Sequence, residues 1–222
     1  MKKILVVIPA YNASLTVKQL IQGISKFVGK QDIVVIDDGS EDGTHDSAEE
    51  AGAILLRHKI NRGKGEALKT GFEYALRRGY DALITMDADL QHDPESIPDF
   101  IRMADGSEGI LIGTRKRNLK IMPFARWFTN NLTSIIVSVL SGQSVRDSQS
   151  GYRLILTQVL KKVELESEKY DLESEILIKA ARKGFRIAEV PIKTIYREGK
   201  SFINPLVDTG RFIKLMWRSL WW

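Results

Sequence analysis

In Ala82-Leu83-Ile84-Thr85-Met86-Asp87-Ala88-Asp89-Leu90-Gln91 a short apolar run gives way at once to two carboxylates and an amide. A continuous apolar run of this length reads as a strand buried on both faces, as in a parallel sheet covered by helices. Ligands of such sheets collect beyond the carboxyl ends of the strands, which is where these acids fall. Negative charge placed there is costly unless a cation or hydrogen-bond donors compensate it. If the chain stays extended, Asp87 and Asp89 share one side, Leu90 turns inward and Gln91 joins the oxygen-bearing side. Two carboxylates and an amide oxygen form a hard-ligand set suited to Mg²⁺ or Mn²⁺. Standing alone, the triplet reads as readily as a solvated or helix-capping turn.

The same alternation extends outward in both directions. Ile4–Ile8, Ile33–Ile36 and Ile54–Leu56 are apolar runs that read as strands. Between them lie amphipathic segments: one starting near Ser14 with Leu20, Ile21, Ile24 and Phe27 on a face, a short one at Thr44–Ala51, and Lys64–Arg78. Asp93-Pro94 has the form of an N-cap followed by proline at the first helical position. Beyond it, Gly109–Gly113 reads as a strand, and Phe124–Leu140 and Leu172–Arg182 read as helices. Arg186–Val190 and Ile192–Tyr196 are strand-like on either side of Pro191. The pattern predicts an α/β fold with a mostly parallel central sheet, helices on both faces and a C-terminal amphipathic helix.

Composition narrows the chemistry. The 222 residues include no cysteine, which excludes disulfides, thiolate metal sites and cysteine nucleophiles and suits a reducing compartment. The formal charge is +5, and no Asp or Glu occurs from Gly109 to Arg146, where Arg115, Lys116, Arg117, Lys120, Arg126 and Arg146 all fall. Such a stretch faces phosphates, an anionic membrane, or simply solvent. A nucleic-acid binder would account for the charge but not for acids at strand ends, so no nucleic-acid partner is expected. The run before Pro9 is too short for a signal peptide, and no apolar segment approaches the roughly 20 residues of a membrane span. A cytoplasmic protein is expected, at most lying on a membrane. The tail carries Leu206, Ile213, Trp217 and Leu220 beside a stripe of Arg211, Lys214 and Arg218, and ends Leu220-Trp221-Trp222. It reads as a helix at a bilayer interface, or as one docked on its own domain or a second subunit.

Two further segments bear on ligands. Asp37-Asp38-Gly39-Ser40-Glu41-Asp42-Gly43-Thr44 is turn-rich, with carboxylates suited to accept from base or ribose groups. Asn61-Arg62-Gly63-Lys64-Gly65 reads as an anion-binding loop at a helix N-terminus or as a glycine-rich helix entry. It lacks the spacing and the Ser/Thr of a Walker loop.

Ile8-Pro9-Ala10-Tyr11-Asn12, the Asp37–Thr44 and Asn61–Gly65 segments, Asp87–Gln91 with His92, and Gly113-Thr114-Arg115 follow one another in an order and spacing that resemble the family-2 glycosyltransferases of GT-A fold. The likeness is strongest to the polyprenyl- and dolichyl-phosphate sugar transferases. Asp147-Ser148-Gln149-Ser150-Gly151-Tyr152-Arg153, Glu189-Val190-Pro191 and Arg197-Glu198-Gly199-Lys200-Ser201 continue it. The resemblance implies a domain over 1–204, with a nucleotide-sugar-binding half at 1–115 and an acceptor half at 116–204, followed by the tail at 205–222. It implies Asp89 and Gln91 as ligands of Mg²⁺ or Mn²⁺, with Asp87 and the Ala88 backbone near the ribose and phosphates. Pro9, Tyr11, Asn12 and Asp38 would hold the nucleoside. Arg115 would lie near the donor phosphates, Lys64 of the Asn61–Gly65 loop would bind substrate, and Arg197 and Ser201 would lie in a loop closing over donor or acceptor. Asp147 and Arg153 would sit on the acceptor side. Ala13 stands where the family often has glutamate, and Phe202 follows Ser201 where lysine is usual; both weaken transfer of donor identity.

The implied reaction is an inverting displacement that moves a hexose from a GDP-mannose or UDP-glucose type donor to a polyprenyl phosphate. Membrane contact would run through 205–222 and the 116–141 region. An acceptor with a saccharide hydroxyl is the alternative, and Asp147 is then the first candidate base. A sugar-1-phosphate nucleotidyltransferase would need a glycine-rich loop after the first strand, where Pro9-Ala10-Tyr11-Asn12 stands instead.

Overall fold

The computed structural model describes residues 2–106, 109–115, 124–169, 171–193, 195, 205–219 and 221–222, without side chains at 124–126, 128 and 205–209. Arg197 and Ser201, the cations Lys116, Arg117 and Lys120, and the expected strand beyond Ile192 lie outside them in whole or part. The first half alternates β1 (Ile4–Ala10), α1 (Val17–Ile24), β2 (Ile33–Asp37), α2 (Thr44–Glu50), β3 (Ile54–Arg57), α3 (Lys64–Arg77) and β4 (Ala82–Thr85). Then follow α4 (Ile97–Ala104), β5 (Ile110–Arg115), α5 (Phe124–Ser141), β6 (Arg153–Leu156), α6 (Thr157–Leu160), α7 (Leu172–Arg182), β7 (Ile187–Ile192) and α8 (Pro205–Ser219).

The seven strands form one sheet in the order β3-β2-β1-β4-β6-β5-β7. Pairing is parallel except where β6 lies antiparallel between β4 and β5. The expected fold class therefore holds, with one reversed strand. β6 was not expected from the sequence: it has four residues and opens on Arg153, so its pattern gives little signal. Conversely, the first strand-like segment runs on through Pro191 and ends at Ile192 as β7, while the second, Ile192–Tyr196, lies partly outside the described residues.

Every residue of β1, β2 and β4 is buried, as their unbroken apolar runs require. Pro9 sits inside β1 without disrupting the sheet. The β1–β4 ladder ends at Val7 opposite Thr85, whereas Ala10 accepts from the Asp38 N–H on the β2 side. Pro9 thus faces the side where pairing has stopped, and its missing N–H breaks no bond. Asp93 caps the turn that leads into α4, its side chain accepting from the Glu95 N–H.

The tail helix docks on its own domain. Its core-facing stripe is Phe212, Leu215, Ser219 and Trp222, spaced by three or four along a helix face. Arg182 donates to the carbonyls of Ser219 and Trp222, Arg218 pairs with Glu166, and the Lys179 ammonium lies 4.3 Å from the centre of a Trp222 ring. Ile213 and Trp217, expected on the buried or membrane stripe, are exposed, as is Trp221. No helix among the described residues is long and apolar enough to cross a membrane.

Helix α3 lies on β1 through Gly71, where a Cβ would come 2.3 Å from Val7 Cγ1. Val7 is fully buried and has no room to yield. Gly71→Val is expected to overpack this joint and cost about 2–3 kcal/mol. Thermal unfolding should show a loss of roughly 4–12 °C for a chain of this size; an unchanged Tm would refute the close packing.

Candidate functional site

The strand order reverses at β1. Connections run from β1 outward through β2 to β3, and α3 then carries the chain back to β4 on β1's other side. The crevice at such a switch point is where ligands of open α/β sheets bind. The ends of β1, β2, β4 and β5 meet there, and because β6 runs the other way, the turn before it arrives at the same edge.

Beside β1 and β2 the loops fasten one another. Asn12, with a left-handed φ of 50°, donates its N–H to Ser40 Oγ at 2.9 Å and accepts from the Glu41 N–H at 3.1 Å. Asp38 is buried and accepts from His58 Nδ1 at 2.7 Å and from the N–H groups of Arg62 at 2.9 Å and Gly63 at 2.7 Å. The Glu66 N–H donates to the Glu168 carbonyl. The N–H groups of Arg62, Gly63 and Glu66 are thus spent on Asp38 and Glu168. The segment serves as a glycine-rich helix entry that Asp38 pins. Pro9 is buried at the base of the crevice and Tyr11 is half-buried at its rim.

Asp87 is the centre of the next group. Lys64 Nζ lies 2.6 Å from Asp87 Oδ1 and 2.8 Å from Glu173 Oε1. Burial disfavours the charge on Lys64, but Asp87 and Glu173 outweigh it and raise its pKa above that of an ordinary lysine. Burial likewise works against the Asp87 carboxylate, and Lys64, followed by His92 and Arg115, holds its pKa below the usual range all the same. The Asp87 N–H donates to His92 Nδ1 at 3.2 Å, which puts the imidazole proton on Nε2; burial lowers the His92 pKa in keeping with a neutral ring. His92 stacks on Tyr152, and Tyr152 on Phe100. A Cβ on Gly151 would come 2.5 Å from Asp87 Oδ2, so only glycine lets this backbone approach the carboxylate.

Asp89, Leu90 and Gln91 form a turn rather than the extended segment expected. The Gln91 N–H donates to Asp89 Oδ1 at 3.0 Å, and Leu90 has φ 60°. A left-handed leucine costs roughly 1–2 kcal/mol, and burying its side chain contributes about 1.5–3 kcal/mol, so inward packing of Leu90 is enough to hold the turn. Asp89 is exposed and Gln91 half-buried. Among the described residues no group of three or more acids and histidines is placed to hold a metal. The donor set therefore fits an ion that takes one carboxylate and an amide oxygen and leaves its other positions to water and phosphate, as Mg²⁺ does.

On the far side, Arg115 and Asp147 form a bidentate pair, with Nε 2.7 Å from Oδ2 and Nη2 2.8 Å from Oδ1; the Arg115 N–H adds a third bond at 3.2 Å. Burial opposes the Arg115 charge, yet the bonds from Asp147 leave its pKa raised. Both Asp147 oxygens are thus engaged and the side chain is fully buried, which removes it as a candidate base. Arg153 is no acceptor-binding group either. It is buried and donates to the carbonyls of Ser148, Ser150 and Glu173, clamping the 148–151 turn to the start of α7. Burial pulls its pKa below that of a free arginine, against the pull of Glu173, Asp147 and Asp87.

Glu173 joins this cluster without having been singled out in the sequence. A signal was present, since Glu173 shares a helix face with Ile176, Leu177 and Ala180, all buried. An acid on an apolar stripe needs a cation, and Lys64 is that cation.

Residues 5–163 match the model of the family Glycosyl transferase family 2. The chain is 38% identical over 215 residues to an uncharacterized protein of Methanocaldococcus jannaschii, covering 94% of this chain and 88% of the other. It is 34% identical over 220 residues to the UDP-N-acetylglucosamine–dolichyl-phosphate N-acetylglucosaminyltransferase of Methanococcus voltae, covering 89% of this chain and 87% of that one. Among solved structures it is similar to glucosyl-3-phosphoglycerate synthase from Mycobacterium tuberculosis in complex with Mn²⁺, UDP and phosphoglyceric acid. The TM-score is 0.76 at 20% identity, with 99% of this chain and 77% of that chain covered. The same enzyme has been solved with Mn²⁺, UDP-glucose and phosphoglyceric acid, and with Mg²⁺ and UDP. At this identity the likeness establishes the fold, and the metals in those structures are the two expected from the sequence.

The polyprenyl-phosphate acceptor is corrected by the same structures. The fold that this chain shares along nearly its whole length serves phosphoglyceric acid there, and the lipid phosphate in the name of the Methanococcus relative belongs to that protein. The membrane contact expected through the tail goes with it, because Phe212, Leu215 and Trp222 are turned onto the chain's own core.

The Arg115–Asp147 pair yields a stability test. Asp147→Ala leaves a largely buried guanidinium without its carboxylate and should cost about 3–5 kcal/mol. Urea unfolding would measure the loss, and a midpoint near that of the wild type would refute the pairing.

Proposed function

The chain belongs to glycosyl transferase family 2, and we propose that it transfers a hexose from a uridine diphosphate sugar to a hydroxyl-bearing acceptor, using Mn²⁺ or Mg²⁺. The observation that carries this reading is the turn at Asp89 and Gln91. It sets an exposed carboxylate, held only by the Gln91 N–H among the bonds described, at the switch point of the sheet, while Asp87 is paired with Lys64, Asp147 with Arg115, and Asp38 is buried against N–H donors. Asp89 and Gln91 would hold the cation. Once bound, it supplies positive charge against the diphosphate that leaves. Arg115, fixed by Asp147, presents its guanidinium from the end of β5 toward the same crevice and adds charge that needs no reorganisation. Pro9 and Tyr11 would border the nucleoside, with Asn12 and Asp38 shaping that wall through the bonds they make to neighbouring loops. The UDP-glucose held by the matched structures and the uridine donor named for the Methanococcus relative support the choice of base. A cytoplasmic location belongs to the same proposal and rests on the cysteine-free composition, which suits a reducing compartment.

A donor and acceptor screen tests the proposal. With Mn²⁺ present, UDP release from UDP-glucose or UDP-N-acetylglucosamine should rise on addition of phosphoglycerate or simple saccharides, and GDP-mannose should be inert. Turnover only with a polyprenyl phosphate would overturn the acceptor assignment. Asp89→Ala should lower kcat/KM by at least about 100-fold with an unchanged circular dichroism spectrum, and near-normal activity in Mn²⁺ would remove Asp89 from the cation site.

A further inference from the structure

Three elements meet at one ammonium. Lys64 opens α3, Asp87 follows β4, and Glu173 lies in the first turn of α7; the lysine bridges the two acids at 2.6 Å and 2.8 Å. We infer that Glu173 is a positioning residue for the donor site, acting through Lys64 to hold Asp87 in place beside the cation ligand Asp89. The inference rests on the proposed donor reaction only in taking that site to bind a divalent cation with a nucleotide.

Lys64 is the mobile member of this cluster by its chemistry. Its four-carbon stem is flexible and its ammonium is a point charge with three donors, so one carboxylate alone does not fix its position. Two carboxylates on opposite partners do. With Glu173 present, Lys64 is held on Asp87 Oδ1, while the backbone at Gly151 closes on Oδ2. Asp87 is thereby boxed from both oxygens and remains a partner of lysine, leaving Asp89 two residues on to face solvent.

Glu173 is itself immobilised. Its side chain is buried, and its carbonyl accepts from Arg153, whose guanidinium also gathers the carbonyls of Ser148 and Ser150. The start of α7, the 148–151 turn and Asp87 therefore share one brace, and the acceptor half bears directly on the donor site. Without the Glu173 charge, two acids on one base become a single ion pair. Lys64 then keeps one of these two acids, and Asp87 loses the strut that keeps it clear of the cation.

Calorimetric titration of UDP with Mn²⁺ into the full chain tests this, with thermal unfolding as the control for folding. Glu173→Gln, which keeps shape but not charge, should weaken Mn²⁺–UDP binding roughly 10- to 100-fold, as loss of groups that brace metal ligands does. Glu173→Asp should recover part of that loss, and it serves as the second variant if the glutamine form does not fold. In a Lys64→Met background Glu173→Gln should add nothing, because its influence runs through the lysine. Wild-type binding in Glu173→Gln, or a full further loss on top of Lys64→Met, would overturn the inference; the latter would mean that Glu173 touches the ligand itself. A wild-type chain that binds neither UDP nor GDP with Mn²⁺ would overturn the proposed function and this inference together.

Discussion

A carboxylate at the end of a strand buried on both faces needs a cation, and at Asp87 that cation is Lys64. Much else follows from this pair. Lys64 is the first residue of α3, so the helix must begin over the sheet edge. It reaches that edge by lying close on β1 at Gly71, and the loop before it is tied down by two N–H bonds to Asp38. The position of α7 is set by the same ammonium through Glu173.

Among the described residues, two cations of the crevice are fixed to acids of its walls. Lys64 serves Asp87 and Glu173, and Arg115 serves Asp147 on both oxygens. Paired in this way, the buried acids act as framework. Asp89 is the exception, an exposed acid on a turn closed by the Gln91 N–H and anchored by the buried Leu90. Among the described residues the site thus separates a braced surround of ion pairs from an exposed carboxylate, and this separation is what suits it to a hard cation arriving with its phosphates.

Much of this was legible in the chain. The unbroken apolar runs of β1, β2, β3 and β4 marked their strands, and Leu172–Arg182 was bounded to the residue. Other features were not. β6 is a four-residue strand beginning with a buried arginine, and its antiparallel placement depends on neighbours far away in sequence. The tail's periodicity allowed more than one apolar face, and the core selected Phe212, Leu215 and Trp222 over Ile213 and Trp217. Asp89 and Gln91 are joined through a turn that requires a left-handed leucine, which no pattern of residue types announces.

The sequence by itself determined which chemical groups reach the sheet edge, because a strand's apolar run and the acid that ends it are neighbours in the chain. It thereby placed Asp37, Asp38, Asp87, Asp89 and Arg115 at one rim. Only the tertiary structure decided what each of them does there. Asp38 chose the Arg62–Gly63 backbone, Asp147 took Arg115 from 32 positions away, and Lys64 turned inward to an acid on a distant helix. Charge partners are selected by proximity and burial across the fold, and local spacing carries no record of them.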